Sequence, residues 1–181
     1  MDSTIKRLFE NLRDKDKDVQ YEAFMKLFDI TNDKVNWAYE VWDQLLTDLT
    51  EGDNHQRSRA AQFLCKLAIS DPEKRILKDF PTVWAVTKDK KFVTARHSLK
   101  SIWNIALAGC EQKELVLKTL SDRFINGTDE KNYTLIRYDI IESLRKLYDE
   151  IKDEQVKQLA LDLIEKEEDK KYKKKYASVW K

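Results

Sequence analysis

The 181 residues include only three glycines, two prolines, two cysteines and two histidines. With glycine and proline far below their usual ~7% and ~5%, there is little material for β-hairpin turns or for phosphate-cradling backbone loops, and an all-helical chain is the natural reading. Cys65 and Cys110 lie 45 positions apart, and His55 and His97 fall in no HExxH or Cys/His pattern. Neither a disulfide framework nor a zinc or di-iron site is therefore expected, and no metal or cofactor is called for. No GxSxG elbow occurs either. No apolar run approaches the ~18 to 20 residues that span a bilayer, and Met1–Asp18 contains no apolar core of a signal peptide. The expectation is a cytoplasmic, membrane-free protein with reduced thiols, and a monomer. Net charge is scarce as well: Lys+Arg 34 and Asp+Glu 33 almost cancel to a formal +1. That balance argues against a global field for polyanions but leaves a local basic stripe open.

What the chain does have is a core and a repeat. Hydrophobic residues make up 41% of it, enough for one well-buried domain. The stretches Val19–Leu27, Gln56–Leu64, Lys91–Leu99 and Ile136–Leu144 align without gaps, starting 37, 35 and 45 residues apart. Their fifth position holds Ala23, Ala60, Ala95 and Ile140, and the ninth holds Leu27, Leu64, Leu99 and Leu144. Arg57 and Arg137 occupy the second position of two copies. Self-similarity at this period is the mark of a helical repeat array.

A second amphipathic segment precedes each copy. Ile5, Leu8, Phe9 and Leu12 make one helical stripe; Val35, Ala38, Val41, Trp42, Leu45 and Leu49 make another. Ile76, Leu77, Phe80, Val83, Trp84 and Val86 form a third, in which Pro81 is expected to kink or break the helix. Leu115, Val116, Leu120 and Phe124 form a fourth, and the connectors at 14–18, 51–54, 88–91 and 126–132 are polar. Antiparallel hairpins stacked side by side follow from this alternation. Val156, Leu159, Ala160, Leu163 and Ile164 mark a last helix with no partner, a cap for residues 1–165. Residues 166–181 turn basic and suit either a solvated helix end or a binding tail.

With Asp16 and Asp53 three residues ahead of Val19 and Gln56, the aligned segments resemble the second helix of HEAT repeats, the armadillo-like helical family. The third copy departs, with Lys91 at the apolar position and Asp89 displaced, and the fourth has Tyr133 where Asp would stand. The resemblance implies a right-handed α-solenoid of about four HEAT-like hairpins plus a C-terminal capping helix. It also implies a non-enzymatic scaffold that binds a protein partner along its second helices. On a helical wheel the outward side of those helices carries Gln62, Arg96, His97, Lys100, Asn104, Tyr138, Arg145 and Trp103. The partner surface is expected at Gln62, Arg96, Lys100, Trp103, Asn104, Tyr138 and Arg145, with Arg and Tyr as anchors. Trp37, Trp42 and Trp84 are read as core, and Trp103 as either packing or a stacking platform. Cys65, among apolar neighbours, is read as a small buried hydrophobe. The alternative is nucleic-acid binding. The layout is also similar, more distantly, to HEAT-like DNA glycosylases that remove alkylated bases, whose aromatic, basic and acidic set would here fall on Trp103, Arg96, Lys100, Tyr138 and Asp139.

Overall fold

Aspartate opens half of the helices. In the computed structural model, which describes residues 1–181, ten α-helices and three short 3-10 segments make up the regular structure, with no strand. The helices are α1 (Ser3–Asn11), α2 (Lys17–Ile30), α3 (Ala38–Glu51), α4 (Asn54–Leu67) and α5 (Arg75–Val86). After them come α6 (Phe92–Leu99), α7 (Cys110–Asn126), α8 (Tyr133–Ile151), α9 (Glu154–Glu165) and α10 (Lys170–Ala177). None is long and apolar enough to cross a membrane.

The carboxylates of Asp2, Asp16, Asp53, Asp153 and Asp169 accept first-turn N–H groups of α1, α2, α4, α9 and α10. Such caps satisfy donors that a helix start leaves unpaired. At α4 the arrangement is reciprocal. Asp53 accepts from Gln56 N at 2.9 Å while Gln56 Oε1 accepts from Asp53 N at 2.8 Å. Helix α5 starts differently: Lys74 turns into the left-handed region at φ 54°, and the buried Asp71 carboxylate reaches forward to Arg75 N and Ile76 N at 2.9 and 2.8 Å. The hydroxyl of Tyr39 also donates to Asp71, and burial first, then that bond, raises its pKa to about 12.

Packing follows the repeat register. All four fifth-position and all four ninth-position residues are buried, none more than 6% exposed. Helices adjacent in sequence pack on one another: α1 on α2, α3 on α4, α4 on α5, α5 on α6, α7 on α8, α8 on α9 and α9 on α10. Farther along the chain, α3 meets α5, α4 meets α6, α6 meets α8, α7 meets α9 and α8 meets α10. Trp42, Phe63, Ile76, Ile105, Leu120 and Phe124 fill the interior between them. Trp42 is wholly buried and satisfies its indole N–H on Asp79 Oδ2 at 2.9 Å.

Three expectations need revision. Of the kink or break expected at Pro81, the break does not occur: α5 runs unbroken from Arg75 to Val86, and the bond Pro81 cannot donate is outweighed by burial of Ile76, Phe80, Val83 and Val86. Helix α6 stops at Leu99, and Ile102–Ala108 continues as a 3-10 segment against α4, α7 and α8. Ser98 and Ser101 hydroxyls bond back to Thr94 O and His97 O at 2.9 and 3.0 Å, and the Asn104 amide takes Ser101 O at 2.9 Å. These bonds reward a tightened turn over further α-helix. Lastly, α9 does have a following neighbour: α10 packs on both α8 and α9.

Candidate functional site

The seven residues expected at the partner surface do not gather in one place. Arg96, Lys100 and Tyr138 come together along the seam of α6 and α8, and Arg145 lies farther along α8 against the C-terminal residues; their charges are largely matched from within. Arg96 donates Nε and Nη2 to the wholly buried Asp139 at 2.7 and 2.8 Å, and Lys100 pairs with Glu142 at 3.0 Å. Arg145 pairs with Asp149 at 2.9 Å and lies 5.5 Å from the Trp180 ring. Burial, with Glu142 nearby, pushes the Tyr138 hydroxyl pKa up. Trp103 is half-buried against the core, and the Asn104 amide is engaged within its own turn. Gln62 stands apart on α4, bonded to Ser58 O at 3.1 Å.

The C-terminal segment covers part of that seam. Tyr176 is wholly buried and donates its hydroxyl to Thr134 O at 2.8 Å, while the buried Glu167 accepts from Arg137 at 2.7 Å. Lys175 lies 4.7 Å above the Tyr138 ring, and Trp180 packs 5.5 Å from Tyr148. Residues 166–181 are therefore a packed element, with the lysines of α10 on its outer side. Tyr172, Tyr176 and Trp180, spaced i, i+4 and i+8, carried the signal for this in a segment that charge dominated.

The open face lies elsewhere on the second helices. A groove of about 630 Å³ runs across α2, α4 and α6, lined by Tyr21, Phe24, His55, Arg59, Gln62, Phe92, Val93 and His97 among others. Tyr21 and Val93 are 65% and 68% exposed, the largest exposures of any large apolar side chains in the molecule, and Met25 adds 46%. Beneath them Phe24 packs at 5.3 Å on Phe28 and 5.5 Å on Phe63. The two histidines, remote in sequence, thus reach one groove. On a helical wheel Gln62 and His97 face outward, whereas Tyr21, Phe24 and Val93 do not stand out, because an apolar residue on an amphipathic helix is assigned to the core by default.

Electrostatically the groove is one-sided. Its twelve lining residues include Arg59, Lys91 and both histidines but no carboxylate. Arg59 donates to Leu12 O at 2.8 Å and Gln20 Oε1 at 2.9 Å, both neutral acceptors, and forms no ion pair; burial lowers its pKa. Seven residues on along α4, Lys66 repeats the pattern. It is buried, bonded to Asn32 Oδ1 and placed 4.1 Å over the Phe28 ring, and burial lowers its pKa against the opposing charge of Asp29. Other cations on this side, by contrast, have carboxylate partners: Arg57 with Asp89 at 2.6 Å, Arg96 with Asp139 at 2.7 Å.

This arrangement suits recognition by apolar contact and positive charge. No group of three or more His, Cys, Asp or Glu converges anywhere in the molecule. Cys65 is wholly buried, and its thiol pKa is driven far up by desolvation. Asp139, the acidic member of the glycosylase-like set, is held by both donors of Arg96.

No protein-family model and no curated protein matches the chain. Among solved structures, the chain is similar to the crystal structure of an engineered protein from the Northeast Structural Genomics Consortium, at 16% identity and a TM-score of 0.48, over 98% of this chain and 95% of that one.

Proposed function

We propose that the chain is a HEAT-like helical-repeat scaffold, a right-handed solenoid of helical hairpins that acts as a cytoplasmic, non-enzymatic monomer and binds a protein partner on its second helices. Two repeated cross-links support the architecture. Arg57 and Arg137 hold the same register position, and each pairs with an acidic residue, Asp89 or Glu167, three residues ahead of the next second helix. Each of those acids also accepts the N–H two residues on, at 2.8 and 3.0 Å. Nearest-neighbour links of this kind are how a repeat array transmits stability from unit to unit.

One observation carries the functional reading. Tyr21 and Val93 stand exposed on α2 and α6 in an open groove, with Met25 exposed one turn farther along α2, where water-facing apolar area has no role in stability. An apolar patch rimmed by polar groups is the usual signature of an interaction site. Of the seven expected residues, Gln62 lines the groove and Arg96 flanks it, with its guanidinium 5.9 Å from the Phe92 ring. Tyr21→Ala/Val93→Asp should abolish capture of the partner from cell extract, at least a tenfold loss or ~1.4 kcal/mol, while melting stays unchanged. Lys100→Glu/Tyr138→Ala should have the smaller effect. Capture undiminished by the first pair would move the site off this groove.

A further inference from the structure

Resting on that reading, we infer that the groove across α2, α4 and α6 takes an acidic segment of the partner, one in which Asp or Glu alternates with aliphatic or aromatic side chains. Charge complementarity within an apolar frame carries this assignment. Thirty-three carboxylates are distributed over the chain, yet none lines the groove, while Arg59, Lys91, His55 and His97 do. Arg59 is the centre of this asymmetry. Its guanidinium is already partly withdrawn from water, its two bonds go to neutral oxygens, and its Nε–H has no protein acceptor. Asp53, which acts on it through space, is committed to capping α4. Part of the desolvation that usually opposes a buried ion pair has therefore occurred before any ligand arrives, and an incoming carboxylate gains a charge-assisted bond. Lys66, at i+7 from Arg59 on α4, is buried outside the groove lining and bonds Asn32 without an ion pair.

The apolar frame selects a peptide over a nucleic acid. Val93 in the groove, with Met25 one turn beyond Tyr21 on α2, offers surface that a phosphate backbone cannot use, whereas leucine or phenylalanine side chains of a peptide would bury it. Nucleic-acid grooves track the backbone with rows of cations and lose affinity steeply in salt. Here two permanent cations line the groove, in a chain of formal charge +1.

Selection from a displayed random-peptide library on the intact protein tests this, followed by titration of the enriched peptides. Expected is a consensus of Asp or Glu beside Leu, Ile, Phe or Trp. Replacing its acids by Asn or Gln, or introducing Arg59→Gln in the protein, should each weaken binding at least tenfold, with Arg59→Lys restoring part of the loss. His97→Glu serves as the second variant: the side chain is exposed and makes no hydrogen bond, so folding is spared and the added carboxylate should repel the same peptides. A neutral or basic consensus still lost on Val93→Asp overturns the acidic assignment and leaves the groove as the site. A consensus insensitive to Val93→Asp and His97→Glu overturns both. No consensus, or displacement of the acidic peptides by an oligonucleotide at physiological salt, also overturns the inference, the latter in favour of nucleic acid.

Discussion

Replacing Arg96 by methionine should be among the most damaging single changes on the outer surface of α6. Asp139 is wholly buried and receives both of its strong bonds, 2.7 and 2.8 Å, from that one guanidinium. Arg96 itself stays one-third exposed. Methionine keeps most of the aliphatic contact but leaves a carboxylate in the α6–α8 interface without its counter-charge. Breaking a buried pair from one side costs about 3 to 5 kcal/mol, whereas replacing both partners by apolar groups of similar volume is near neutral or stabilising. Arg96→Met alone should thus lose ~3 to 5 kcal/mol in urea unfolding followed by circular dichroism. Arg96→Met/Asp139→Leu should recover most of it, giving a coupling of a few kcal/mol in the double-mutant cycle. A single-variant loss below ~1 kcal/mol, or a double variant as unstable as the single, would refute the reasoning, since the pair would then not join the two helices.

Other expectations test separate elements. Tyr176→Ala should destabilise by ~3 to 5 kcal/mol, as truncation of a buried aromatic does, while Tyr176→Phe, losing only the bond to Thr134 O, should cost ~0.5 to 1.5 kcal/mol in the same unfolding assay; a negligible effect of the alanine would mean that α10 is not part of the core. Leu64→Ala and Leu99→Ala, at equivalent wholly buried positions, should each cost ~2 to 5 kcal/mol, and losses below ~0.5 kcal/mol in both would break the repeat register. Burial by itself would raise the pKa of the Asp89 carboxyl, but bonds from Arg57 and from Lys91 N hold it below its ordinary value. A folded-state value below the unfolded one makes the contribution complete above the unfolded pKa, ~3.9, and removes it as pH falls through the folded value. Asp89→Asn should accordingly be destabilised at pH 7 and converge on wild type in acid, and a gap that persists in acid would contradict the ion pair. A thiol reagent should titrate Cys110 alone in the native protein and Cys65 only after unfolding; two fast thiols would contradict the packing of α4.

The helical framework was legible because periodicity and aspartate caps agree along most of the chain: Asp16 and Asp53 start α2 and α4 where the aligned copies begin. Misreadings came where side chains compete with the helix or with charge. Serine back-bonding ends α6 at Leu99, so Arg96, Lys100 and Asn104 are not successive turns of one α-helix. The lysine run of α10 concealed the stripe of Tyr172, Tyr176 and Trp180. The groove was half legible. Gln62 and His97 were placed outward, but exposure of Tyr21 and Val93 depends on how α2 sits against α4, where Phe24 meets Phe63 and Arg59 bonds Gln20, and such long-range placement leaves no local trace. Nor does one sequence disclose that Arg96 and Lys100 find carboxylates on α8 while Arg59 and Lys66 find none.

Amide hydrogen exchange of the intact protein, with and without a saturating acidic-aliphatic peptide from the library selection, tests the central claim most directly. The account predicts new protection in α2, α4 and the first turn of α6, around Tyr21, Arg59 and Val93, with α9 and α10 unchanged. Protection confined to α8 and α10, or to α3 and α5, would contradict it.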